Sequence, residues 1–493
     1  ADAVTLDSVQ VTGIRGSLAK SVAEKRSADR VSDTIAAEDI GKFPTQNLAD
    51  SLQRITGIQI QRSRGEGAAA AVRGMPADFT QVIYNGRPIA GTGRSFDFSI
   101  LSSSFVSALS AYKTPVADMR EGGLSATINV ETIKPLSLDK PTVAMTVESI
   151  HEGNAGKTKP HVSGFYADQF LDGRFGLAIG ADYSKRAIQD ESTVGFGLEQ
   201  RNETSTDAAG QPAQHDINGD GDFDDAYRFA HGAGISKEIG TRERKSLMAS
   251  MQFRASDTLE LRSDLLYSKL ESDIFQVGDI LRFTNQIGPD QYADWAIDPR
   301  YPQENILSYL DANGVDHRNN GRGGLSENRV TSYSLGANWL VSDRWTIDGE
   351  VGTSRSKSET TSLSLEVIGR ASASYDFRGN PDRPPVIHYN RGYDPLDPNN
   401  FRATSLNGSY QAPSRGQVDD ARLDFTVDMD GLVDKLKFGV TWDRRQYDYR
   451  GRSVYVNAEQ LAQMLGVPYA PNLENGGSIS GAPWMRDYGG FLT

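Results

Sequence analysis

Between residues 216 and 225, oxygen-bearing side chains recur at alternate positions: Asp216, Asn218, Asp220, Asp222 and Asp224, with Asp225 beside the last and Gly221 where the loop must turn. Hard cations such as Ca2+ take about six to eight oxygen ligands, and this spacing resembles a calcium loop. The position that normally supplies a closing bidentate Glu is Tyr227, so Asp225 or an outside ligand would have to complete the shell. A solvated acidic loop tip is the alternative. No other constellation suggests chemistry. The six His residues, among them His151, His161, His215 and His231, lack metalloprotease spacing. There is no G-x-S-x-G, and Gly65-Glu66-Gly67 does not continue into a phosphate loop. The absence of Cys removes disulfides, thiolate ligands and cysteine nucleophiles. Neither an enzyme nor a required cofactor is expected, with Ca2+ in the 216–225 loop the single ion to consider.

The elements that carry these residues are mostly strands. Residues 175–184 place Phe175, Leu177, Ile179, Ala181 and Tyr183 on one face and Gly176, Ala178, Gly180, Asp182 and Ser184 on the other. Such two-residue alternation makes a sheet with one apolar face. It recurs at 247–253, 259–267, 333–341, 345–351, 423–427 and 436–442. Short turns at Leu171-Asp172-Gly173, Ala255-Ser256-Asp257, Ser342-Asp343 and Asp430-Gly431 alternate with long polar excursions near 188–242, 273–327 and 361–415. Short connections on one side and long ones on the other are the pattern of bacterial outer-membrane barrels. A soluble β-sandwich or propeller would also alternate, but it would not explain this asymmetry, and no propeller repeat of about 40–50 residues is found.

Composition agrees. A mean hydropathy of −0.48 is too polar for a helical membrane protein and ordinary for strands greasy on one face. No run of about 18 apolar residues offers a transmembrane helix. The net charge of −13 argues against nucleic acid as a partner. The start at Ala1-Asp2-Ala3 is consistent with a mature terminus after cleavage at small residues.

Residues 1–34 read as a flexible arm containing the β-prone strip Val9-Gln10-Val11-Thr12. Residues 35–138 read as a compact α+β domain. Asn47 precedes a short helix carrying Ala49, Leu52 and Ile55, with Gly57 as its stop, and Asn85-Gly86 is a hairpin signal after Val82-Ile83-Tyr84. Residues 139–493 form the barrel portion, with 453–493 reading as an outer loop.

Several stretches of the first 135 residues resemble the plug of TonB-dependent outer-membrane receptors, in particular the subgroup common in Caulobacter-like and Xanthomonas-like bacteria. Asp7, Ser8, Val9, Gln10, Val11 and Thr12 resemble a TonB box, which pairs edge to edge with a strand of TonB; a disordered tail is the other reading. Residues 37–44 and 47–58 are similar to the opening plug motif. Val72-Arg73-Gly74-Met75 resembles the central one, and Tyr112-Lys113-Thr114-Pro115 with Glu121-Gly122-Gly123 the closing one. Leu124-Ser125-Ala126 departs from the Gly-rich residues usual there.

The resemblance implies a membrane β-barrel of 22 strands when complete, closed around an N-terminal α+β plug in its lumen. About nine strands are counted here, so the remainder would come from deleted or further sequence or a second chain. Arg73, Arg120 and Glu121 are expected to join plug to barrel or to stabilise the plug internally. The implied activity is active nutrient import. The implied partners are TonB with the ExbB–ExbD inner-membrane complex, outer-membrane lipid and a small-molecule or oligosaccharide substrate, with a surface lipoprotein as a further partner. The implied location is the bacterial outer membrane, with the arm in the periplasm. Tyr389 and Tyr393, in an outer stretch rich in Asn and Arg, suit sugar stacking, which makes an oligosaccharide the first substrate reading. Ferric-siderophore uptake is the alternative, and a non-transporting adhesion barrel is the third.

Overall fold

The computed structural model describes residues 21–26, 28–37, 47–138, 140–202, 216–221, 225–283, 291–379, 385–429 and 433–466. The TonB-box residues 7–12, together with Asp222, Asp224 and the Asp430-Gly431 turn, lie outside them.

The N-terminal domain contains β1 (Ser32–Ala36), α1 (Leu48–Leu52), β2 (Ile58–Ser63), β3 (Glu66–Val72), β4 (Thr80–Tyr84), β5 (Arg87–Pro88), β6 (Val106–Tyr112) and β7 (Ala126–Thr132). Its sheet runs β1-β6-β7-β4-β5, with β4 and β7 parallel, and β2 and β3 form a separate hairpin. α1 starts where the Asn47 side chain accepts from the amides of Ala49 and Asp50, an N-cap that satisfies otherwise orphaned donors. Asn85 and Gly86 both have positive φ, 50° and 82°, the geometry a two-residue hairpin demands. The sheet begins at Ser32, so the end of the expected flexible arm is already ordered strand. Residues 21–26 are helical.

The rest is a second, much larger sheet. Its strands are β8 (Thr142–Glu152), β9 (Lys157–Phe170), β10 (Phe175–Gly195), β13 (Gly232–Arg254), β14 (Leu259–Arg282), β16 (Leu307–Ser342), β17 (Trp345–Asp376), β19 (Phe401–Asp428) and β20 (Lys435–Asn457). A hairpin of β11 (Leu198–Asn202) and β12 (Ala226–Ala230) interrupts this series. β15 (Tyr292–Ile297) and β18 (Val386–Tyr389) attach to β16 and β17, and α2 (Ala458–Leu465) follows β20. The nine long strands are hydrogen-bonded in chain order, every neighbour antiparallel, from β8 at one edge to β20 at the other. Among the described residues the ring is not closed between those edges.

The strands outrun their sequence-based boundaries. β16 has 36 residues, a contour of roughly 120 Å, whereas a membrane crossing needs about 9–11. Much of the excursions 188–242, 273–327 and 361–415 is therefore strand, and residues 453–457, expected in an outer loop, pair with 405–409. The reason is a second apolar core at the far ends: Tyr227, Phe229, Leu281, Phe283, Leu310 and Tyr375 bury one another and hold the extensions together. At the near end the three turns within the described residues, at 171–174, 255–258 and 343–344, are as short as expected. Leu171, Asp172 and Gly173 all take positive φ to reverse the chain from β9 to β10.

One face of the large sheet carries Leu247, Met251, Phe253, Leu261, Leu335, Trp339, Val351, Leu423, Val440 and Trp442, each more than a third exposed. An apolar belt continuous across strands far exceeds the patches a soluble monomer shows, and it suits lipid. The opposite face packs on the N-terminal domain: Leu266, Leu270 and Val330 enter the same core as Leu48, Leu109, Ile128 and Val130. Among the described residues no helix is long and apolar enough to cross a membrane.

Candidate functional site: the interface between domain and wall

The inward face of the sheet is small wherever the N-terminal domain comes close. A Cβ at Gly180 would lie 2.4 Å from Phe105, and one at Gly416 would strike the carbonyl oxygen of Gly91. The greasy-against-small alternation thus has a steric cause: lipid on one face and a packed domain on the other.

Across this contact run two buried charge networks. In the first, Arg87 and Arg120 of the domain converge on Asp420 of β19. Arg120 donates to Asp420 at 2.7 Å and to Asp443 of β20 at 2.9 Å. Arg87 pairs with Asp420 through its Nη2 and with Glu350 of β17 at 3.4 Å. The Asp420 side chain is fully buried and both guanidiniums are 4% exposed. Backbone joins in: the Ala90 amide donates to Ser354 Oγ at 2.9 Å, and Ser356 Oγ donates to the Gly91 carbonyl at 2.8 Å.

In the second network a single carboxylate of the domain meets three cations of the wall. Glu66, at the start of β3, accepts from Arg242 at 2.5 Å, from Arg186 at 2.8 Å and from Arg244 at 3.4 Å. Arg242 and Arg244 also donate to the hydroxyl and carbonyl of Ser99. Burial pushes the Glu66 carboxyl up, but the guanidiniums of Arg244, Arg242 and Arg186 outweigh it, and the group titrates below its ordinary range. Nearby, Ser104 donates to Asp182 at 2.8 Å, and Asp182 also meets His161 at 2.8 Å.

Among the described residues the domain's sheet ends in β1, which pairs with β6 alone, while the Ala36 amide on its outer side donates to Ser21 Oγ at 3.3 Å. Its five residues pair with β6 from Ser32 opposite Tyr112 to Ala36 opposite Ala108. Asp33 anchors it, accepting from Lys113 and Lys25 at 2.5 Å each, while Lys113 also donates to the Thr56 carbonyl at 2.8 Å.

Residues 24–126 match the TonB-dependent Receptor Plug Domain. The N-terminal domain is thus a plug, and the curved sheet that receives it a partial barrel. Solved structures similar to the chain include the ferric enterobactin receptor PfeA (10% identity, 84% of this chain and 72% of that one, TM-score 0.35). PfeA mutant structures name Pseudomonas aeruginosa as the source. The ferric citrate transporter FecA (11% identity, 87% and 79%, TM-score 0.31) and the copper transporter OprC (10%, 85% and 79%, 0.30) are also similar. No protein of curated function matches the sequence.

The plug residues singled out in the sequence have different fates. Arg120 bridges plug and barrel. Arg73 is exposed, with φ of 56° and its amide donating to the Gly57 carbonyl, so it shapes a turn, and Glu121 is exposed. Glu66 carries no signal of its own in the sequence, since its flanking glycines do not continue into a phosphate loop. The available signal was Arg242 and Arg244, two cations on the small face of one alternating strand.

The outer candidates are half-buried against the far-end core. Tyr389 donates to Asp279 at 3.0 Å, Tyr393 meets His317 Nδ1 at 2.9 Å, and the two rings stack at 5.8 Å. Their hydroxyls are engaged within the protein. In the acidic loop, Asp216 accepts from the amides of Gly219, Asp220 and Gly221, and Asp225 from those of Ile217 and Asn218. Among the described residues no three acidic or imidazole side chains converge on one point.

Proposed function

We propose that the chain belongs to a TonB-dependent importer of the bacterial outer membrane, in which residues 7–12 are the segment TonB captures and the two charge networks hold the plug until force is applied. The matched plug domain seated against the inner face of an apolar-belted sheet carries this reading. The narrower subgroup resemblance, resting on residues 37–44 and 47–58, is part of the same proposal. Force delivered through the arm reaches β1 first. Because β1 has β6 as its one strand partner among the described residues, peeling it away breaks a few hydrogen bonds at a time, whereas withdrawing the whole plug would break both buried networks together.

For the cargo, a cavity of about 550 Å3 lies between the plug segment 88–96 and the wall, lined by Gln81, Arg94, Gln417, Arg445 and Tyr447 among others. Two guanidiniums beside a phenol, against the single carboxylate of Asp78, suit an anionic chelate, because charge-assisted hydrogen bonds are strongest to ionised oxygens. This favours a ferric chelate over the oligosaccharide suggested by loop composition, whose Tyr389 and Tyr393 are otherwise engaged. Arg445 also pairs with Asp443 at 3.4 Å, the carboxylate that holds Arg120, so cavity occupancy and plug anchoring share one group. Cargo that binds one plug state more tightly than another shifts the balance between them.

The test is uptake of radio-iron presented as an anionic ferric chelate to cells bearing the intact or the 7–12-deleted protein. Energised accumulation should vanish on deletion while surface binding persists. Undiminished uptake after deletion defeats the coupling reading. Binding of neutral oligosaccharide but no ferric chelate defeats the cargo reading.

A further inference from the structure

On the strand extensions, beyond the apolar belt, the residues that hold Tyr389 form a donor set that the import reading does not use. Asp279 stands on β14, His317 on the neighbouring β16 and Tyr389 at the end of β18. Ser268 of β14 donates to the plug carbonyl of Ile100, and Val330 of β16 lies in the plug core. Asp279 and His317 have the opposite parity in the same unbroken register, so they point to the outer flank of the wall, away from the lumen.

Three donor atoms meet there. His317 Nε2 lies 2.6 Å from Asp279 Oδ1, and the Tyr389 hydroxyl lies 3.0 Å from Asp279 Oδ2 and 3.2 Å from His317 Nε2. Ligands about 2.1 Å from one octahedral ion and at right angles to each other are roughly 3.0 Å apart, so the three atoms already stand at the spacing of one face of a coordination shell. The imidazole is also held from behind. His317 is fully buried, with the Phe401 ring edge-on at 4.8 Å and its Nδ1 2.9 Å from the Tyr393 hydroxyl. A ligating imidazole needs such an acceptor on its other nitrogen to fix the tautomer.

The local charge favours a cation. Buried carboxylates elsewhere in the extensions meet guanidiniums, Asp311 with Arg391 and Asp316 with Arg370 and Arg318, but among the described residues no Lys or Arg pairs with Asp279. Asp394 and Asp397 add negative charge beside Tyr393. The Asp279 side chain is 19% exposed, so the set opens to solvent on one side.

We infer that Asp279, His317 and Tyr389 are a binding site for a ferric ion, with Tyr393 as the positioning residue behind His317. One imidazole nitrogen, one carboxylate and one phenolate make a hard donor set with two negative charges, which suits a small trivalent ion. Zinc sites draw on Cys, His and carboxylate, and calcium takes more oxygens than are present. Binding releases the Tyr389 proton to solvent and moves the imidazole proton to Nδ1, where Tyr393 Oη accepts it. Water from the open side fills the remaining positions. The ion ties β18 to β14 and β16, on a flank separate from the cavity at Arg94 and Arg445.

The experiment is visible absorption spectroscopy of the full chain, purified in mild detergent and titrated with ferric nitrilotriacetate. The expected result is a phenolate-to-iron charge-transfer band that saturates at one ion per chain. Tyr389→Phe, which keeps the ring, should abolish the band. Tyr393→Phe should keep it but lower affinity about 10–100-fold against a competing chelator, and Asp279→Asn should lower affinity further. Tyr166→Phe, which removes a phenol bonded to Asp168 on a distant strand, should leave band and affinity unchanged. Metal-free thermal midpoints equal to that of wild type separate a lost ligand from a lost fold. No band in the wild type, a band that persists in Tyr389→Phe, or tighter binding of Zn2+ than of Fe3+ overturns the inference, whatever the barrel imports.

Discussion

Arg120 and Asp420 are 300 residues apart in the chain, yet the guanidinium of the first donates to the carboxylate of the second at 2.7 Å. Asp420 also receives Arg87, so one fully buried anion holds two cations of the plug against the wall. Removing it leaves Arg120 with Asp443 alone and Arg87 with the more distant Glu350 alone. Breaking such a buried pair costs about 3–5 kcal/mol, so Asp420→Ala should lower the urea concentration at which the plug becomes protease-accessible. A midpoint unchanged from wild type would mean that the network does not anchor the plug.

Acid should loosen the other side. Glu66 titrates below its ordinary value of 4.5, so its contribution is fully present above that pH and is lost as pH falls through the folded-state value. The stability difference between wild type and Glu66→Gln should be constant at neutral pH and shrink toward zero in acid. Thermal melts across pH 3–7 measure it, and a difference that grows on acidification contradicts the assignment.

Phe105 occupies the space above Gly180. A Cβ there would sit 2.4 Å from its ring, so Gly180→Val should displace Phe105 and destabilise plug seating by about 1–3 kcal/mol. Phe105→Ala in the same chain should make the Val nearly neutral. A double-mutant cycle tests this, and additive effects would separate the two residues.

A chain without Cys allows a clean lock on β1. Thr34 and Ser110 face each other in register with hydroxyls 2.9 Å apart, and opposed antiparallel residues have Cα separations of about 4.5–5.5 Å, suitable for a disulfide. Oxidised Thr34→Cys/Ser110→Cys should bind cargo but not import it, and reductant should restore import. Import by the oxidised form would show that β1 need not leave β6.

The sequence by itself determined what depends on neighbours along the chain. Alternation fixed the apolar and small faces from Phe175 to Ser184, Asn47 fixed a helix start, and Asn85-Gly86 fixed a hairpin, because strand period, capping and positive-φ turns are local. Tertiary structure decided the rest. Only packing of Phe229, Leu281 and Tyr375 carried the strands far beyond the apolar belt, turning expected loops into sheet. Only the fold brought Glu66 to Arg242 and Arg87 to Asp420, while leaving Arg73 in a turn and the Tyr389 hydroxyl bonded to Asp279. A charged residue in a sequence shows that it needs a partner when buried. Which partner it meets depends on strand order and register, through contacts between residues hundreds of positions apart.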